Sequence, residues 1–228
     1  TGTSYRVINY TGRKGEWAPV QQAGADGYAV TQVVSRPQAQ AVSTSDMVLV
    51  AEKTATSRPL QYGSVAGGNS GGLQKDLDKA IARGSCEVRA TWVTSEWMQI
   101  LLATPLEGPC PGQHEYKVED SSGFMGLSVR GSGMLLGLHR VKDDFMGLYD
   151  RKGDSFEYTV EEGVLNDQDS SPGRLPREHQ WLVDKLSADG GRGYLPVDVA
   201  WRAGKAEGTR AIDVILATTR LNDHRARI

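Results

Sequence analysis

The chain has 228 residues and a net charge of −2, with 26 Lys and Arg set against 28 Asp and Glu and interspersed with them. That balance gives no electrostatic case for a nucleic-acid partner or an anionic membrane, and no apolar run approaches the roughly 18 residues of a membrane span. Two cysteines, Cys86 and Cys110, exclude a site built on several thiolates. The length allows one large all-β domain or two small ones to bury a core without cross-links.

In chain order, residues 5–10 (YRVINY) and 28–34 (YAVTQVV) are rich in β-branched and aromatic residues and bounded by glycine-containing turns, which predicts strands. Residues 47–52 (MVLVAE) continue the pattern, and the polar runs 35–40 and 54–61 read as loops. GGNSGG at 67–72 reads as a glycine-rich loop with Asn69 or Ser70 near a helix N-terminus. In the helix that follows, Leu73, Leu77 and Ile81 form one apolar stripe while Lys75, Asp76, Asp78 and Lys79 face water, and Gly84 ends it. Residues 86–93 (CEVRATWV) and 97–103 (WMQILLA) predict a hairpin turning at 94–96.

Beyond it, HEYKV at 114–118 predicts a strand, and residues 124–130 and 134–139 predict a second hairpin about the Gly131-Ser132-Gly133 turn. After a strand at 155–160, residues 166–176 (NDQDSSPGRLP) concentrate turn formers and predict an exposed loop. Pro176 can open a short helix with Trp181, Leu182 and Leu186 on one face, and 187–194 (SADGGRGY) breaks its pattern. LPVDVAW at 195–201 and RAIDVILATT at 210–219 complete about a dozen short strands. This pattern predicts an all-β fold, an antiparallel β-sandwich or β-barrel with one or two short surface helices, and argues against alternating βαβ units. No internal repeat is visible in the residues. A single domain over 1–228 is expected, and its start at Thr1-Gly2-Thr3 suggests a piece of a larger chain.

Two serines invite a protease reading. A chymotrypsin-like nucleophile needs a His upstream of it in the chain, yet His114, His139, His179 and His224 all follow Ser70, and only His114, eight residues away, precedes Ser122. Neither serine is therefore expected to be catalytic. As a phosphate cradle the 67–72 loop fails too, because Leu73 and Gln74 stand where Lys and Ser or Thr are needed. His114, Glu115 and Cys110 do not complete a metal ligand set, and no metal or cofactor is expected. The neighbouring carboxylates Asp143-Asp144 and Glu161-Glu162 would point to opposite faces of a strand, and the five tryptophans read first as core anchors. A Cys86–Cys110 disulfide would close a loop worth about 3.5 kcal/mol in the chain-entropy model; two free thiols are the open alternative. The groups best suited to a sugar's hydroxyls are those of the polar loop, Asp167, Gln168, Asp169, Ser170 and Arg174.

The strand blocks YAVTQVV, CEVRATWV and RAIDVILATT, with the polar loop NDQDSSPGR, give the chain an organisation that resembles the protruding or spike domain of a non-enveloped virus capsid, in particular the astrovirus capsid spike. The resemblance implies a homodimeric β-structure on the virion surface that attaches to a host-cell receptor or glycan, without catalytic residues. The alternatives are a divergent chymotrypsin-like serine hydrolase using Ser122 or Ser70, and a secreted, hence extracellular, bacterial binding or toxin domain.

Overall fold

The computed structural model describes residues 2–10, 17–35, 47–94, 97–121, 129–130, 133–141, 144–152, 157–166, 177–203 and 209–218. The elements are β1 (Ser4–Tyr10), α1 (Trp17–Ala25), β2 (Ala29–Ser35), β3 (Met47–Lys53), β4 (Leu60–Gly67), α2 (Ser70–Ala82), β5 (Glu87–Thr94), β6 (Trp97–Pro105), β7 (Tyr116–Ser121), β8 (Val129–Arg130), β9 (Met134–Val141), β10 (Asp144–Asp150), β11 (Glu157–Asn166), α3 (Arg177–Gly191), β12 (Leu195–Ala203) and β13 (Thr209–Thr218). The chain is mainly β, as expected, with short strands packed as a sandwich; among the described residues no sheet closes into a barrel, and there are three helices. Where composition suggests one domain over 1–228, contacts divide the chain into two compact units: Thr1–Ser122 with Leu136–Lys152, and Gly123–Leu135 with Gly153–Ile228.

One module recurs along the chain. In β1-α1-β2-β3, β4-α2-β5-β6 and β11-α3-β12-β13 the third strand lies between the first and second and is antiparallel to both, and β7, β9 and β10 adopt the same order. Each helix therefore crosses between two parallel strands that the third then separates. βαβ crossovers thus occur inside antiparallel sheets, which periodicity alone did not anticipate.

The same backbone devices recur with the module. Gly27, Gly84 and Gly193 follow the three helices with φ of 84°, 104° and 88°, the left-handed region that costs glycine least. Each closes a pair of helix-ending bonds: Gly27 N to Gly24 O and Tyr28 N to Ala23 O, Gly84 N to Ile81 O and Ser85 N to Ala80 O, Gly193 N to Gly190 O and Tyr194 N to Asp189 O. The second strand of each of these modules then carries a bulge near its start, at Val30/Gln32, Val88/Ala90 and Pro196/Asp198.

In the first unit the sheet β4-β6-β5 is buried on both faces. Leu101 and Ala103 of β6 face a core with Ile8, Val20, Met47 and Leu49, while Met98, Ile100 and Leu102 face a second core with Leu73, Leu77, Val118 and Leu148. The alternation follows the period of two along a strand. α1 fills the first layer against β1 and β4, and α2 the second against β4 and β7.

Several expectations change at the level of elements. α1 was not legible in WAPVQQAGA, which lacks a capping signal and carries Pro19 in its first turn, where proline is tolerated. β4 extends over residues read partly as a polar loop, because Leu60 and Tyr62 turn into the core. β10 was also missed; Phe145 through Asp150 are all buried. The β5–β6 hairpin forms with Thr94 opposite Trp97. Most of the first strand and the turn of the hairpin expected about 131–133 lie outside the described residues; of its described part, Val129 and Arg130 of β8 pair with β11, while β9 lies beside β10 in the sheet β7-β10-β9. The helix after Pro176 continues through 187–191, past the expected break.

Candidate functional site

A two-way lock between successive modules fixes the surroundings of the site. Gln21 of α1 donates through Nε2 to Tyr62 O (2.5 Å) and accepts from Tyr62 N (3.1 Å) on the outer edge of β4. Gln74 of α2 repeats this one module later, donating to Tyr116 O (3.2 Å) and accepting from Val118 N (2.8 Å) on β7. In return the Tyr62 hydroxyl accepts from Val30 N and donates to Tyr28 O at the start of β2, and the Tyr116 hydroxyl accepts from Val88 N and donates to Cys86 O at the start of β5. Burial pushes both phenols up, Tyr116 to about 12.

Against that regular frame one connection is longer. β3 and β4 are joined by the six residues 54–59, whereas β6 and β7 are joined by the ten residues 106–115. All ten are exposed, yet the segment is fastened along its length. Leu106 N donates to Pro59 O at 3.0 Å, Cys110 is disulfide-bonded to Cys86 with 5.4 Å between the Cα atoms, and Gln113 Oε1 accepts from Lys152 Nζ at 3.1 Å. Gly108 and Gly112 turn the chain with φ of 84° and 72°.

Its end carries the most chemically organised group. His114 Nδ1 lies 2.6 Å from Asp150 Oδ2, and the ring stacks on Tyr116 with centroids 5.4 Å apart and planes within 8°. Asp150 is buried, and its other oxygen accepts from Glu115 N and Lys152 N at 3.2 and 3.1 Å. Burial by itself would raise this carboxyl's pKa; the His114 bond and the two amides outweigh burial and hold it below the ordinary value. With Nδ1 committed to Asp150, Nε2 is the nitrogen open to chemistry, beside Gly112, where an added Cβ would stand 3.4 Å from it. A carboxylate-oriented imidazole can take or give a proton or hold a ligand's hydroxyl.

The other sequence candidates are distributed differently. Ser70 is the first residue of α2 and donates to Asp120 of β7; Asn69 caps the helix, accepting from Gly72 N at 2.8 Å. Both hold a helix N-terminus, and no histidine attends Ser70 in the contacts described. Ser122 and the loop residues Asp167, Gln168, Asp169, Ser170 and Arg174 lie outside the described residues. His139 is buried with Nε2 2.8 Å from Thr91 Oγ1, a packing contact between β9 and β5. Among the described residues no three metal-binding side chains come together, and no described helix is long and apolar enough to cross a membrane. Trp92 is a core anchor at 3% exposure, whereas Trp97 is 54% exposed. In the sequence His114 reads only as a nucleophile's base or a metal ligand. Asp150, 36 residues downstream, gave no signal, since only the β7–β10 pairing brings the two together.

No protein-family model, curated protein or solved structure matches the chain.

Proposed function

We propose that the chain is a recognition module, with the fastened segment 106–115 as its recognition element and attachment to a host-cell receptor or glycan at a virion surface as its role. The observation that supports recognition is the ten exposed residues that stand where the preceding connection, β3 to β4, uses six, held by a backbone bond, a disulfide and the His114–Asp150 pair. A recognition loop benefits from being ordered beforehand, because the entropy of fixing it is then not lost on binding. The segment offers the His114 imidazole, the Gln113 amide and the Glu107 carboxylate for polar contacts, and Leu106, 54% exposed, for an apolar one. The viral setting rests on the spike resemblance alone.

The test is binding to receptor-bearing cells and to a glycan array by the wild type, a chain with 107–114 shortened to a Gly-Ser linker, and Gln113→Ala/His114→Ala. Loss of binding in both variants, with the melting transition retained, is the expected result; binding unchanged in both removes the segment from this role. A second reading, a hydrolase with His114 as general base, is favoured by the 2.6 Å contact to Asp150. Fluorophosphonate labelling of the wild type that is lost in His114→Ala would establish it in place of recognition.

A further inference from the structure

Among the described residues the edge of the first sheet is open in a way its counterparts are not. β4 and β7, the first strands of their modules, have their outer edges clamped by Gln21 and Gln74. β1 is likewise the edge of the sheet β1-β3-β2, but among the described residues no bond from outside that sheet reaches the backbone of Ser4–Asn9. An unpaired strand edge is a template for another strand, and proteins usually blunt one with proline, lysine, a bulge or a covering element. β1 has the sequence SYRVINY and pairs with β3 from Ser4↔Lys53 to Tyr10↔Met47 without a register shift. It contains none of those residues, and its one charge, Arg6, is held by Asp26 at 2.8 Å and lies over the Tyr28 ring. Tyr5 and Val7, on the same face, are 65% and 64% exposed, the highest values among the large hydrophobic residues described as exposed.

From these features we infer that β1 pairs antiparallel with β1 of a second copy of this chain, about a two-fold axis at Val7. A two-fold contact uses the same patch on both subunits, and a seven-residue strand with no bulge is complementary to itself in that arrangement. Val7 then opposes Val7 of the second copy, Tyr5 opposes Asn9, Arg6 opposes Ile8 and Ser4 opposes Tyr10. No like charges face each other, and Tyr5 and Val7 of both copies form one apolar row across the junction, the type of cross-strand contact that stabilises a sheet. The two sheets become one of six strands, ordered β2-β3-β1 and then β1-β3-β2 of the second copy. The pairing does not depend on the recognition reading.

Light scattering tests it first: a mass near twice the 24.7 kDa of one chain is expected at about 100 μM. Cysteine scanning tests the register. Both native cysteines are in the disulfide and no free thiol competes, so Val7→Cys should give a covalent dimer on a non-reducing gel. Residues directly opposed across strands hold their Cβ atoms about 5 Å apart, whereas Tyr5→Cys should not cross-link alone, since two copies of residue 5 would stand about 14 Å apart at 3.4 Å per residue. Val7→Pro should run as a monomer with unchanged far-UV circular dichroism; should it not fold, Val7→Lys, placed at an exposed side chain, takes its place. A wild type of one-chain mass, a dimer that survives the folded Val7 variant, or Tyr5→Cys cross-linking in place of Val7→Cys would overturn the inference.

Discussion

Asp150 and Tyr116 both border His114, one through a hydrogen bond and the other through ring stacking, and titrate at opposite ends of the pH scale. Asp150 has its folded pKa held below 3.8, so its stabilising contribution is complete above that value and is lost as pH falls through the lower, folded one. Asp150→Asn should lower stability near neutral pH by about 2 kcal/mol, the scale of hydrogen bonds to a charged group, and make the urea midpoint less sensitive to pH below 4. Tyr116 is displaced upward, from 10.0 to about 12. Its phenol favours the fold below pH 10, and that contribution disappears between about 10 and 12 as the unfolded chain ionises first. Tyr116→Phe should flatten the fall of the melting temperature over that alkaline range, and absorbance at 295 nm should show one tyrosine fewer titrating late. Gly137 presents a steric case: a Cβ there would overlap Thr91 Oγ1 and come within 2.9 Å of Thr91 Cβ. Gly137→Ala should cost about 1–3 kcal/mol as overpacking, with part of the loss recovered in the Thr91→Ala background.

At the scale of elements, the glutamine clamps and the disulfide act on different states. Gln74 satisfies two backbone groups on the edge of β7, and Gln74→Ala should lower the stability read from urea unfolding by about 1–3 kcal/mol, the cost of unmade hydrogen bonds in a part-buried setting. Gln74→Glu supplies acceptors only, so it should rescue the bond from Val118 N and not the one to Tyr116 O. The Cys86–Cys110 bridge acts mainly on the unfolded chain, and Cys86→Ala/Cys110→Ala should cost about 3.5 kcal/mol in the chain-entropy model. The same substitution should increase hydrogen exchange in 106–115 more than in β6 or β7, because the loop then keeps only its polar fastenings.

Over the whole molecule, the recurring β-α-β-β module is the principal feature, and its signal in the sequence is thin. The segments Ala23–Tyr28 (AGADGY), Ala80–Ser85 (AIARGS) and Asp189–Tyr194 (DGGRGY) share a glycine in fifth place preceded by Asp26, Arg83 or Arg192. That glycine is needed because the helix must stop in a left-handed turn before the second strand begins. The remaining positions vary, since a core accepts many apolar combinations of similar volume, and so the repeat is carried by backbone geometry and by the Gln and Tyr contacts more than by residue identity.

Short-range chemistry settles the β-rich class, α2 with its buried Leu73 and Leu77 and its stop at Gly84, the β5–β6 hairpin, and the placing of Ser70 at a helix N-terminus. These are local matters, decided by side-chain period, turn chemistry and capping within a few residues. Long-range packing settles that Val129 and Arg130 pair with β11, that β4 and β10 are strands in spite of their glycines and polar neighbours, and that His114 meets Asp150 across β7 and β10. Those outcomes depend on which strands pair at long range, where burial and the satisfaction of backbone groups override local preference.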